Sequence, residues 1–130
     1  MKWFRRIVGE REDTAHAAVP AHGRGRFTVA VVGESSYLGT LTEAKSSARD
    51  DIIDVLLECE PRNRWDKNAV RVATMAGHTI GYLERAIAAR YHGPIAARGN
   101  VATCRAVLRG GDEERPNIGV WLDLCSPEDL

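Results

Sequence analysis

The stretch Ile53-Asp54-Val55-Leu56-Leu57-Glu58-Cys59-Glu60-Pro61-Arg62-Asn63-Arg64-Trp65-Asp66-Lys67-Asn68-Ala69-Val70-Arg71-Val72-Ala73-Thr74-Met75-Ala76-Gly77-His78-Thr79-Ile80-Gly81-Tyr82-Leu83 decides the fold. Ile53, Val55, Leu57 and Cys59 alternate with Asp54, Leu56 and Glu58, the period of two with which a strand turns one face to a core. Pro61 cannot donate to a ladder and ends that strand, and residues 61–68 have the composition of a loop. Residues 69–74 and 78–83 are strand-like runs on either side of the turn-forming Ala76-Gly77, which makes them a hairpin. Three strands, two of them tightly joined, place the chain among β-rich folds.

Working outward, Phe27-Thr28-Val29-Ala30-Val31-Val32 is a β-branched run that ends at Gly33 and reads as an earlier strand. Residues 41–51 carry Ala, Lys, Glu and Arg and few β-branched residues, which fits a short helix or an ordered loop. After the hairpin the period changes: Leu83, Ile87, Tyr91 and Ile95 recur every four residues as one helical stripe, which Gly93-Pro94 breaks or kinks before Gly99 ends it. Two more strands are expected near residues 101–108 and 117–124, separated by Gly110-Gly111-Asp112. The predicted fold class is mainly β with one or two short helices, a small barrel or half-barrel of about six strands.

Residues 1–26 mix polar, charged, Gly and Pro residues without a sustained period and are expected to form a flexible N-terminal tail. Within it, Trp3-Phe4-Arg5-Arg6-Ile7-Val8 either docks as an edge strand or binds a partner. A single domain is expected over residues 27–125, followed by a frayed C-terminal tail at 126–130.

At 130 residues, 44% apolar and 28% charged, the chain has the size and composition of one globular domain. It lacks the uncharged run of about 18 residues that a spanning helix needs, and it lacks a signal-peptide pattern, so no membrane partner and a cytoplasmic location are expected. Cys59, Cys104 and Cys125 are odd in number and widely spaced, which argues against a disulfide framework or a zinc site and for buried thiols. The 18 basic and 18 acidic side chains cancel, so attraction to a polyanion requires uneven placement. Arg85, Arg90, Arg98, Arg105 and Arg109 indeed occupy a stretch with no carboxylate, which makes either a solvated basic face or a phosphate-binding one.

No phosphate-cradling loop or dinucleotide fingerprint is present, and Gly33-Glu34-Ser35-Ser36-Tyr37 fails to match a nucleophile elbow. The spacings of His16, His22, His78 and His92 match no metal-binding helix, and Asn63, Asp66 and Asn68 lack the pattern of a calcium loop. No catalytic residue, metal or cofactor is therefore expected, and the chain is not expected to be an enzyme.

Three blocks, Val31-Val32-Gly33-Glu34-Ser35-Ser36-Tyr37-Leu38-Gly39, then residues 60–72, then Ile80-Gly81-Tyr82-Leu83, resemble the HIRAN domain, in order and over about residues 27–124. The resemblance implies an OB-like barrel that, in the best understood members, binds single-stranded DNA at its 3′ end. It implies that Trp65 takes the position of a base-stacking aromatic and Asp66 that of the group receiving the terminal hydroxyl. Tyr82 and Arg85 take the places of a phosphate-side polar residue and a basic one, and Ser35, Ser36, Tyr37 and Asn63 complete the candidate DNA-binding set. Where the strongest end binders have Arg and a second stacking Tyr, this chain has Ser35 and Ser36. Losing one ring from a base clamp costs about 1–3 kcal/mol.

The residues themselves agree in kind with that reading: an indole offers a large π face, a fixed Asp accepts a hydroxyl proton but repels an internal phosphate, and Arg85 can neutralise one. Trp65 is equally suited to be a core residue, and Asn63 and Asp66 to tie a loop through Asx bonds. The expected function is recognition of single-stranded DNA or DNA ends in repair or replication restart, with a helicase or nuclease acting in trans. The alternative is a protein-interaction module on the same barrel that has lost end binding.

Overall fold

The alternation in residues 53–59 becomes the central strand, β3 (Ile52–Cys59), of the computed structural model, which describes residues 18–130. The segment Trp3-Phe4-Arg5-Arg6-Ile7-Val8 lies outside the described residues. In chain order the other elements are β1 (Val19–Pro20), β2 (Val29–Val32), a 3-10 helix over Glu34–Tyr37 and helix α1 (Leu38–Ser46), all before β3. After it come β4 (Val70–Thr74), β5 (Thr79–Leu83), helix α2 (Arg85–Ala96), β6 (Val101–Gly110), β7 (Ile118–Asp123) and a 3-10 turn over Pro127–Asp129.

The sheet runs β6-β3-β4-β5-β2-β7, and β7 pairs back onto β6, so six antiparallel pairings close a barrel as the sequence predicted. Closure leaves these strands without a continuous open edge. Val55, Leu57, Val70, Val72, Ile80, Ala102, Cys104, Leu108, Val120 and Leu122 point inward and form one core. Burying a side chain of Val or Leu size stabilises by about 1.5–3 kcal/mol, so the inward row of β3 alone anchors the sheet. Leu56 interrupts the polar row of β3 for a reason outside the barrel. It packs on the outer face with Ala73 and Ala18 in a second small cluster and is only 2% exposed.

That outer cluster corrects the tail expected to extend to residue 26. β1 pairs in parallel with β6 through Val19 and Ala102, Ala21 is fully buried, and His22 bridges to Leu124. Short apolar residues at 18, 19 and 21 suffice because the splayed end of β6 offers unpaired backbone groups. The amide of Ala21 donates to Thr103 and its carbonyl accepts from Cys125. The expected first strand begins at Val29, later than Phe27, whose φ of 50° is outside the strand region.

The C-terminal residues are also not frayed: Pro127 is buried, and Leu130 packs against the core. Helix α2 runs through Pro94 to Ala96 without breaking. Proline removes one backbone donor near the helix end, and Ala97 still donates to Gly93. Its buried face is Ala88, Tyr91 and Ile95, with the Tyr91 hydroxyl donating to the Cys125 carbonyl at 2.6 Å. Cys59 and Cys104 are buried thiols as expected, whereas Cys125 is only half-buried.

Candidate nucleic-acid interface

The loop between β3 and β4 is held rigid by its own polar side chains. Asn63 Oδ1 accepts from the amides of Trp65 and Asp66 at 2.9 and 3.0 Å, and its Nδ2 donates to Glu60 Oε1 at 3.0 Å. Asp66 Oδ1 accepts from the Asn68 amide at 2.9 Å. Backbone bonds from Glu60 to Ala69 and from Ala69 to Asp66 close the base of the loop. These are Asx-type bonds, which fix a turn without secondary structure. Asn63 thus has its side chain engaged within the loop, and it serves the surface by shaping it.

The consequence is the exposure of Trp65. The residue is 79% exposed, so the core or lid position open to an indole at this site is not the one it takes. The guanidinium of Arg64 sits 5.0 Å from its ring centroid. Arg62 and Lys67, on the same loop, are exposed. Neither Arg64 nor these two was picked out from the sequence, although three cations beside a Trp in a polar loop was the available signal.

Asp66 is partly covered, and its Oδ2 lies 3.8 Å from Nε of Arg85, whose side chain is 79% exposed. Arg85 is the first residue of α2, placed there because Glu84 caps the helix by accepting from the Ala86 amide. The loop and the helix start, remote in sequence, therefore meet.

A second line of residues crosses the outer face of the barrel. Register places Glu58 opposite Arg71, Arg71 opposite Tyr82 and Tyr82 opposite Val32. Arg71 donates to Glu58 at 2.5 Å, to Thr79 Oγ1 at 2.8 Å and to the Gly77 carbonyl at 3.1 Å, so its charge is engaged within the sheet. The Tyr82 hydroxyl has its pKa pushed up to about 12, by burial first, then by hydrogen bonding to and the charge of Glu60, with Tyr37 adding and Arg71 opposing. Glu60 thereby links Tyr82 to Asn63 and the loop.

Tyr37, on the 3-10 helix that packs against β5, bears on Tyr82 through its charge, and Gly81 of β5 lies close against β2. A Cβ on Gly81 would lie 2.3 Å from Val31 Cγ1 and 2.8 Å from the Val32 carbonyl oxygen, and its φ of 153° also suits glycine. Ser35 and Ser36, on that helix, are exposed and short. Glu34 Oε2 is buried beside them without a hydrogen-bond partner.

Asp66 and Arg85 thus meet, and Glu60 joins Tyr82 to the loop that carries Trp65 and Asp66, while Ser35, Ser36 and Tyr37 lie on the 3-10 helix that packs against β5. A cavity of about 900 Å³ lies elsewhere, between α1, the start of β3 and the β4–β5 turn, lined by Ala44, Ala48, Ile53, Asp54, Met75 and His78 among others. The cavity is lined by none of the candidate residues Ser35, Ser36, Tyr37, Asn63, Trp65, Asp66, Tyr82 and Arg85. Among the described residues no group of three or more His, Cys, Asp or Glu side chains could hold a metal ion. No helix among them is long and apolar enough to cross a membrane.

The sequence profile of the HIRAN domain family matches residues 25–124. A solved structure of a protein from Lactobacillus plantarum is similar with a TM-score of 0.50 and 24% identity, covering 72% of this chain and 86% of that one. The HIRAN domain of human HLTF is similar with a TM-score of 0.43 and 16% identity, covering 75% of this chain and 78% of that one. No curated protein sequence matches this chain.

Proposed function

We propose that this chain, which belongs to the HIRAN domain family of nucleic-acid-binding modules, takes the free 3′ end of a single DNA strand against Tyr37, Trp65, Asp66, Tyr82 and Arg85. The observation that carries the reading is Trp65, an indole 79% exposed on a loop that at least five hydrogen bonds hold in place. A rigid exposed indole is a stacking platform for a base, and stacking tolerates any sequence because every base has a π face. Asp66, one residue on, supplies an acceptor for a terminal hydroxyl and repels a phosphate in the same place, which favours an end over a continuous strand. Arg85 neutralises the phosphate next to that end.

Such a module recognises and positions; a helicase or nuclease acting in trans supplies the chemistry during repair or replication restart. The test is fluorescence anisotropy of a labelled short strand bearing a free 3′-hydroxyl or a 3′-phosphate, at low and moderate salt. Tighter binding to the hydroxyl end, lost in Asp66→Ala, is the expected result. No saturable binding to either strand overturns the reading and leaves a protein-interaction role for the barrel.

A further inference from the structure

We infer that Arg64 replaces, in this chain, the stacking and charge that Ser35 and Ser36 cannot provide, by backing the Trp65 indole and neutralising the phosphate of the nucleotide stacked on it. The inference rests on the single-strand reading of the same surface. Ser35 and Ser36 offer neither a ring nor a positive charge. Inside the loop, by contrast, the Arg64 guanidinium lies 5.0 Å from the indole centroid. A guanidinium is planar and weakly hydrated, so it stacks on an aromatic face while its edge keeps N–H donors free for a phosphate.

The neighbouring acids do not compete for it. Asp66 accepts from the Asn68 amide and faces Arg85, and Glu60 accepts from Asn63 and lies 3.9 Å from Arg71. The turn beneath is fixed, since Asn63 Oδ1 holds both the Trp65 and the Asp66 amides. One indole face is therefore covered by Arg64, and a residue that remains 79% exposed keeps the other open. A base on the open face completes a guanidinium–indole–base stack, and the cation supplies a positive charge that Ser35 and Ser36 lack. Ordering the indole before binding removes part of the entropy that a freely rotating ring would lose.

The experiment measures binding of a labelled oligothymidylate with a free 3′-hydroxyl across a salt series, using the full chain and its Arg64→Ala, Arg64→Lys, Arg62→Ala and Trp65→Ala variants. Arg64→Ala is expected to weaken binding about tenfold and to lower the slope of log affinity against log salt by about 0.7, the value for one phosphate contact on a single strand. Arg64→Lys is expected to keep the slope and recover only part of the affinity, because an ammonium does not stack as a plane. In the Trp65→Ala background, removing Arg64 is expected to cost less than in the wild type. Wild-type affinity and slope in Arg64→Ala, with Trp65→Ala weakened, overturn the inference and leave the single-strand reading standing. Full rescue by lysine, with Arg62→Ala as damaging as Arg64→Ala, overturns the stacking role in favour of general charge. Absence of binding by the wild type overturns both readings.

Discussion

Asp66 Oδ2 and Arg85 Nε stand 3.8 Å apart, joining the β3–β4 loop to the first turn of α2 across nineteen positions of sequence. Arg85 is largely exposed, so the pair is screened by water, and exposed pairs are worth about 0–1 kcal/mol. Arg85→Ala is therefore expected to leave the melting temperature nearly unchanged. Binding to a single strand should weaken and lose about 0.7 from its salt slope, the signature of one phosphate contact. Chemical denaturation and salt-dependent anisotropy of the same variant check the two halves of this expectation.

Trp65 makes a similar separation of stability from binding. Its side chain is mostly in water, so Trp65→Ala removes little buried surface and should shift unfolding by less than about 0.5 kcal/mol. Loss of one stacking platform should weaken strand binding by about 1–3 kcal/mol, or roughly five- to 150-fold. A variant that unfolds more easily instead would place the indole in the packing of the loop.

The strap before β2 depends on one buried acid. Asp123 is 2% exposed and accepts from Arg105 at 3.0 Å and from the Gly25 amide at 2.8 Å. Removing Arg105 strands the carboxylate in the barrel wall, which typically costs about 3–5 kcal/mol. Asp123→Asn keeps an acceptor for Gly25 and should cost less, about 1.5–3 kcal/mol for the lost charge-assisted bond. Urea denaturation of the two variants tests this order, and equal losses would contradict it.

Tyr82 sets a pH dependence on the alkaline side. Its folded pKa of about 12 exceeds the ordinary tyrosine value of 10.0, so the folded chain holds this proton after the unfolded chain has released it. The stabilisation is complete below pH 10 and is lost as pH rises toward 12. Tyr82→Phe should remove this part of the decline, and the phenolate absorbance of the variant should lack one late-titrating component.

Glu34 holds a buried carboxylate oxygen that accepts no hydrogen bond. Leaving such a group unpaired costs about 1–3 kcal/mol, so Glu34→Leu should raise the unfolding midpoint if the neighbouring 3-10 helix stays in place. Thermal melts, with circular dichroism to confirm the fold, check it.

Much of the fold was legible locally. The alternation from Ile53 to Cys59 and the turn at Ala76-Gly77 follow from short-range signals and became the expected elements, and of the four-residue stripe Ile87, Tyr91 and Ile95 lie on α2 while Leu83 ends β5. The packed segment at residues 18–22 was not legible, because a two-residue strand has no period of its own and depends on the free end of β6. Leu56 was equally ambiguous, since whether an outward leucine is covered depends on a segment almost forty residues earlier.

For the site, the sequence by itself determined the chemistry: an indole, a carboxylate and an arginine at spacings that resemble one family. Only the tertiary structure decided how they are placed. Exposure of Trp65, approach of Arg85 to Asp66, and engagement of Asn63 and Arg71 in internal bonds all depend on where side chains end in space. Sequence spacing fixes those positions within a strand or helix, but between a loop, a helix start and a sheet they are fixed by the closure of the barrel.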